Sequence, residues 1–170
     1  MNEMIMNGLK GLASGFDKLD AATNGWQNGN LIVVAGRPAM GKTAFALSLV
    51  RNMAVEKKIP LAMFSLEMSK VQLVNRLIAN VSKVSIERIR SGQIAKNDWS
   101  KIETGVSSML GAPLYVDDSP SLSVSELRVR AHKLVHEYGV KMIIIDYLQL
   151  MNTPDGSSES RQEEVATISR

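Results

Sequence analysis

Leu31-Ile-Val-Val-Ala35-Gly36-Arg37-Pro38-Ala39-Met40-Gly41-Lys42-Thr43-Ala44 is the stretch on which the reading of this chain turns. An apolar run rich in strand formers enters a loop bounded by two glycines, and a helical pattern over residues 42–55 follows at once. The loop fits G-x-x-x-x-G-K-[ST] in the strand-to-helix setting that pattern requires. Glycines let the backbone curl so that successive N–H groups converge on one oxyanion. The helix that opens there adds a positive end of about half a charge. Lys42 can then reach β- and γ-phosphates, and the Thr43 hydroxyl can ligate Mg²⁺.

Outward from this loop lie three more apolar runs, Leu61-Ala-Met-Phe-Ser65, Leu114-Tyr-Val116 and Met142-Ile-Ile-Ile145. Their apolarity is continuous rather than alternating, which predicts strands covered on both faces. Helical patterns separate them. Ser69-Lys-Val-Gln72 and Ser123-Val-Ser-Glu126 have the form of capping boxes. The second opens a helix with Val124, Leu127, Ala131, Leu134, Val135 and Tyr138 on one stripe, and with Arg128, Arg130, Lys133 and Glu137 opposite. Gly139 stands where a helix C-cap belongs. Strands alternating with amphipathic helices predict a parallel α/β sheet. Beyond the fourth run come a polar stretch, residues 152–160, and a third capping box, Ser160-Arg-Gln-Glu163, opening a last helical pattern.

Two carboxylates join the phosphate loop. Asp146 ends the fourth run, and an apolar strand that delivers one carboxylate at its tip is how such sheets hold Mg²⁺ opposite the loop. Glu67 follows the second run. Ligands of an open parallel sheet lie outside the carboxyl ends of its strands, so Glu67 would face the same crevice and could orient a water. It could equally be a helix-start carboxylate beside the Ser69 cap. Spacing alone leaves the two readings level.

Bulk properties narrow the class without naming it. The chain has 170 residues, 45% apolar and 22% charged, as a single globular domain would. A net charge of +3 is too small to announce a nucleic-acid binder by itself. The absence of cysteine excludes disulfides and zinc–thiolate sites and fits a reducing cytoplasm. No apolar run approaches the roughly 20 residues that span a bilayer, so no membrane role is expected. Residues 1–10 are expected to be a disordered or artificial start, with residues 11–170 forming a partial domain. His132 and His136 stand four apart but lack the glutamate of H-E-x-x-H, and they read as a solvated helix face. Trp26 and Trp99 are isolated and form no base-stacking platform. Asp117 and Asp118 either extend the acidic edge of the crevice or start the turn through Ser119-Pro120. Arg88, Arg90, Arg128 and Lys133 read as solvated helix faces.

Together the phosphate loop, Phe64-Ser-Leu-Glu67-Met-Ser69, Ile145-Asp146-Tyr-Leu-Gln149-Leu and Arg161-Gln-Glu-Glu-Val-Ala-Thr-Ile-Ser-Arg170 resemble the ATPase domain of the DnaB-type bacterial replicative DNA helicases. The lead-in Ser14-Gly-Phe-Asp-Lys-Leu-Asp20 resembles that family's entry to its motor domain. The resemblance implies a RecA-like P-loop NTPase sheet flanked by helices, and a ring of six that encircles single-stranded DNA and hydrolyses ATP with Mg²⁺ between subunits. It also implies primase and a helicase loader as partners. Position by position, Lys42 and Thr43 match the phosphate and Mg²⁺ residues, Asp146 the Mg²⁺-side carboxylate and Glu67 the catalytic carboxylate. Arg76 matches an arginine placed near the adenine, where a guanidinium can stack on a base.

The family's primase-facing domain and linker helix would precede this sequence; its arginine finger and later DNA-gripping loops would follow Arg170. In RecA-like sheets the strand between the phosphate-loop strand and the Asp146 strand belongs to that following part. An incomplete sheet with unpaired edges, prone to self-association, is therefore expected. A RecA-like recombinase or clock-type ATPase shares the phosphate loop and Mg²⁺ carboxylate and is the alternative enzyme. A nucleotide-binding module without turnover is the non-enzymatic one.

Gln149, three residues past Asp146, falls near the γ-phosphate side, where its amide can report phosphate state to residues 152–160. In an intact helicase, Gln149→Ala is expected to abolish DNA stimulation of ATP hydrolysis while basal hydrolysis persists; normal stimulation would refute this role.

Overall fold

The computed structural model describes residues 9–147, and three of the four apolar runs become strands in it. They are β1 (Leu61–Ser65), β2 (Leu114–Asp117) and β3 (Met142–Asp146). All pair parallel, in the order β2-β1-β3. The helices are α1 (Asp17–Thr23), α2 (Lys42–Val50), α3 (Lys70–Ser82), α4 (Ile86–Ser91), α5 (Lys96–Met109) and α6 (Val124–Tyr138). A π-helical segment, Arg51–Glu56, continues α2 without a break.

Register explains why the runs are apolar throughout. Leu61 stands beside Leu114 and Met142, and Met63 beside Val116 and Ile144. Those six side chains enter one core with Leu47, Leu49 and Val50 of α2, Met53 and Val55 of the π segment, and Leu73 and Leu77 of α3. Alternate residues point the other way. Ala62, Phe64, Tyr115, Ile143 and Ile145 form a second core with Val124, Leu127 and Leu134 of α6. Each strand thus buries both faces, and β1, central in the sheet, is buried at all five positions.

Two of the three predicted capping boxes fall among the described residues, and both are present. The Ser69 hydroxyl accepts from the Gln72 amide and Ser123 from Glu126, and each third-position side chain reaches back to the cap amide. Gly139 takes φ 64 and closes α6 with bonds from its amide to Leu134 and Val135. The α6 stripe is narrower than its sequence suggests. Val135 and Tyr138 are 45% and 48% exposed, and Arg130 reaches back to the sheet. No residue of α6 is fully buried, because this helix meets the second core with one edge only.

The main correction concerns residues 31–35, which are no strand. They follow an antiparallel bridge of Leu12 with Trp26 and run unpaired into the loop, with Leu31 65% and Val33 67% exposed. Apolarity predicts a covered strand only if a neighbour lies alongside to take its N–H and C=O groups. No described residue pairs with them, and β3 is paired only on its β1 side. Among the described residues the sheet has three strands and leaves β3 open on one side, the incomplete sheet that was expected. The third capping box and the last helical pattern lie outside the described residues.

Asp117, at the tip of β2, forms the turn predicted as one of its two roles. It accepts from the Ser119 amide at 3.0 Å, the Ser119 hydroxyl at 2.7 Å and the Arg130 guanidinium at 2.6 Å. Burial pushes its pKa up, but the Ser119 and Arg130 hydrogen bonds outweigh this and hold it below the usual carboxylate value. A depressed folded pKa adds stability above the unfolded value of about 3.9, and that stability is lost as pH falls through the folded pKa. Arg130→Met is therefore expected to cost at most about 1 kcal/mol near neutrality, for so exposed a pair. The difference from the parent chain should shrink as urea titrations move below about pH 4. A difference constant down to about pH 2 would show that Arg130 acts through packing alone.

Candidate active site

The phosphate loop leads straight into α2, whose N-cap is Gly41 at φ 87. Ala39 sits at φ 62, a left-handed conformation that costs a residue with a Cβ about 1–2 kcal/mol. Strain of this kind persists where a backbone must present its amides in a set direction. Lys42 Nζ donates to the carbonyls of Gly36 at 2.9 Å and Arg37 at 3.4 Å, folding the ammonium over the loop. Gly36, Arg37, Pro38, Ala39, Met40, Gly41 and Ala44 are exposed, while Lys42 and Thr43 are half-buried.

The two carboxylates arrive on neighbouring strands. Ser65 and Asp146 are register partners at the carboxyl ends of β1 and β3, and the Leu66 amide donates to the Asp146 carbonyl at 2.9 Å. Asp146 is 7% exposed, yet its carboxylate takes no hydrogen bond from any described residue. Glu67 lies two residues past β1, exposed, and also without a hydrogen bond or ion pair among the described residues. The chain bends there because the Ser65 hydroxyl donates to the Met68 carbonyl at 2.8 Å and accepts from the Met68 amide at 3.2 Å. Asp118, the second candidate for an acidic edge, is used otherwise. It accepts from the Lys70 amide at 2.9 Å and pairs with Lys70 Nζ at 3.0 Å, pinning the start of α3 next to Glu67. Those bonds, the backbone one first, lower its pKa. Neither Ser65 nor Asp118 could be assigned this work from sequence, since both tie elements that meet only in the fold.

α2 packs on β3, so the phosphate helix and the Asp146 strand are direct neighbours. No hydrogen bond or ion pair among the described residues links Lys42 or Thr43 to Asp146 or Glu67. Arg76 is exposed on α3 and makes no polar contact among the described residues. Gln149 and residues 152–160 lie outside them. His132 and His136 are exposed with ring centroids 4.6 Å apart, and no group of three metal-ligating side chains exists among the described residues. No helix among them is long and apolar enough to cross a membrane. The donor set around Asp146 and Thr43 is a carboxylate and a hydroxyl, hard oxygens that fit Mg²⁺ better than a softer metal.

Comparison with known proteins agrees with this layout. Residues 11–170 match the family described as DnaB-like helicase C terminal domain. The chain is 43% identical over 162 residues to the replicative DNA helicase DnaB of Geobacillus stearothermophilus, covering 95% of this chain and 36% of that protein. It is 45% identical over 167 residues to its namesake in Pasteurella multocida, again 36% of that protein. The chain thus spans little more than a third of the length of these curated relatives. Among solved structures, a DnaB-like replicative helicase studied with primase matches with a TM-score of 0.87 and 29% identity, over 98% of this chain and 40% of that one. A second solved structure, of an ATPase domain, matches with the same score and identity, over 60% of its length. With its phosphate loop, Asp146 at the end of β3, Glu67 just past β1 and this similarity over nearly its whole length, the chain belongs to the DnaB-like helicase C-terminal domain family.

Proposed function

We propose that this chain is the ATP-binding and ATP-hydrolysing part of a replicative DNA helicase, a cytoplasmic motor that assembles as a hexamer on single-stranded DNA and unwinds duplex. The observation that carries the reading is the phosphate-loop helix packed on the strand that ends in Asp146, with Glu67 following the adjacent strand. The relatives named above are replicative helicases, which favours this over a recombinase or clock-type ATPase. Primase is a partner by analogy with the helicase studied with it, and a loader by the same family logic.

The residues divide the work. Backbone amides of Gly36 through Thr43 cradle the phosphates, and Lys42 exchanges its loop carbonyls for phosphate oxygens. Thr43 and Asp146 hold Mg²⁺, which when bound neutralises developing phosphate charge. Glu67, bound to nothing else among the described residues, orients and deprotonates the attacking water. Arg76 lies against the base. Turnover also calls for an arginine finger, a class of residue that supplies about 10³–10⁵ in rate.

Calorimetric titration with a slowly hydrolysed ATP analogue and Mg²⁺ is the direct test. The chain is expected to bind, and Lys42→Ala to bind undetectably. Asp146→Asn should bind equally with and without Mg²⁺, where the parent gains affinity from the ion. Absence of binding by the parent chain would refute the reading of this site. In the hexamer, Glu67→Gln should lower hydrolysis by about 10²–10⁴ with analogue affinity preserved; unimpaired hydrolysis would return Glu67 to the role of a helix-start carboxylate.

A further inference from the structure

The lead-in Ser14-Gly-Phe-Asp-Lys-Leu-Asp20 contributes nothing to the chemistry above, yet Ser14 is 0% and Asp20 4% exposed. Asp20 fastens the segment to itself. Its carboxylate accepts from the Ser14 amide at 2.7 Å, the Ser14 hydroxyl at 2.6 Å and the Gly15 amide at 3.0 Å. The segment so shaped grips the phosphate-loop helix at two heights. The Phe16 ring stacks on Phe45, two residues past Thr43, with centroids 5.3 Å apart and planes 19° from parallel. Two turns further on, buried Asn52 donates from Nδ2 to the Ser14 carbonyl at 3.3 Å. Gly15 takes φ +82, and a Cβ there would lie 2.6 Å from Asn52 Cβ, so only glycine allows this approach.

Arg51 extends the grip. Its Nε and Nη2 donate to Asn52 Oδ1 at 3.1 and 2.8 Å, and its Nη1 donates to Asn80 Oδ1 on α3 at 2.9 Å. Asn80 Nδ2 donates to Ser48 Oγ at 3.3 Å, and Ser48 to the Ala44 carbonyl at 2.8 Å. This relay runs from the lead-in, through the π-wound end of the helix and across α3, back to the residue after Thr43.

The loop itself is exposed and holds few contacts, so Lys42 and Thr43 inherit their placement from α2. The apolar contacts of α2, through Leu47, Leu49 and Val50, resist its leaving the sheet. Being non-directional, they resist rotation and sliding along its axis far less. A ring stack near one end and a directional hydrogen bond near the other fix both. We propose that Phe16 and Ser14 of the lead-in are positioning residues for the phosphate loop, seating its helix through Phe45 and Asn52. The inference rests on the nucleotide reading above and adds a second, reciprocal statement. If the seated lead-in favours nucleotide, bound nucleotide must strengthen the seat.

The test compares Phe16→Ala, Phe16→Leu and Leu122→Ala with the parent chain. Leu122 is fully buried in the second core and serves as a control for lost stability. Affinity for the Mg²⁺-bound ATP analogue is measured well below each melting temperature, with calorimetric stoichiometry reporting the folded fraction. Phe16→Ala is expected to bind about tenfold more weakly at full stoichiometry, a typical coupling between sites. Phe16→Leu should recover most of that, and Leu122→Ala should lower only the melting temperature. In the parent chain, saturating analogue should slow hydrogen exchange at the Ser14 and Gly15 amides, the donors to Asp20. Unchanged affinity in Phe16→Ala, or unchanged exchange at those amides on saturation, would overturn the proposal. The exchange measurement decides alone should Phe16→Ala not fold. A parent chain that fails to bind would refute the nucleotide reading and this inference with it, a result visible without any variant.

Discussion

Parallel pairing of β1 with β3 is the constraint from which the rest of the site follows. It sets Ser65 beside Asp146, so that the two chains leave the sheet at the same level and on the same side. A carboxylate ending one strand and a carboxylate two residues past the other are thereby delivered to one edge of the sheet, though 79 positions separate them in sequence (146 minus 67). Pairing in that register needs both faces of both strands covered, or the apolar side chains would be left in water. The two cores supply the cover, one from α2 and α3 and the other from α6. The core that stabilises the sheet on one face is also what holds the phosphate helix against β3.

What could be read in advance was whatever is encoded locally. Continuous apolarity found β1, β2 and β3, and hydroxyl-to-carboxamide or carboxylate spacing found the caps of α3 and α6. The glycine pattern found the loop. The same apolar signal at residues 31–35 pointed to a strand that does not form, because pairing depends on a neighbour, which no property of those residues records. Val135 and Tyr138 failed likewise. Their helical phase is right, and the Tyr138 ring meets Tyr115 at 4.6 Å, but both stand at the edge of the contact and stay about half exposed. The Asp118–Lys70, Ser65–Met68 and Asn52–Ser14 contacts were out of reach for a further reason. Serine, asparagine and aspartate have many local bonding options, and only the tertiary arrangement selects one. For Glu67, where spacing left two readings level, the family resemblance favours the catalytic one.

The π-wound segment shows how the phosphate helix ends. Asn52, Met53, Ala54 and Val55 are all buried, which no one-sided amphipathic stripe allows. The segment is enclosed by the sheet core, by α3 and α5, and by the lead-in. A polar residue at its centre is tolerated because Asn52 has partners for both its amide groups. Apolar positions there set depth, and the asparagine sets orientation.

The phosphate loop is organised in the opposite way. Its residues are exposed, and its lysine rests on the loop's own carbonyls. Hydrogen bonds this exposed contribute little net stability, since water would replace them almost as well. Lys42 therefore gives up little when an anion competes for it, whereas a lysine buried in an ion pair would have to break that pair first. Ala39 and Gly41, both left-handed, set the curl of the loop without help from Lys42. A loop that surrenders weak contacts and keeps its backbone shape can bind and release phosphate repeatedly, provided the helix behind it does not move. On the proposed reading, rigidity lies in α2 and its seat and exchangeability in the loop, a division that repeated binding and release of nucleotide would need.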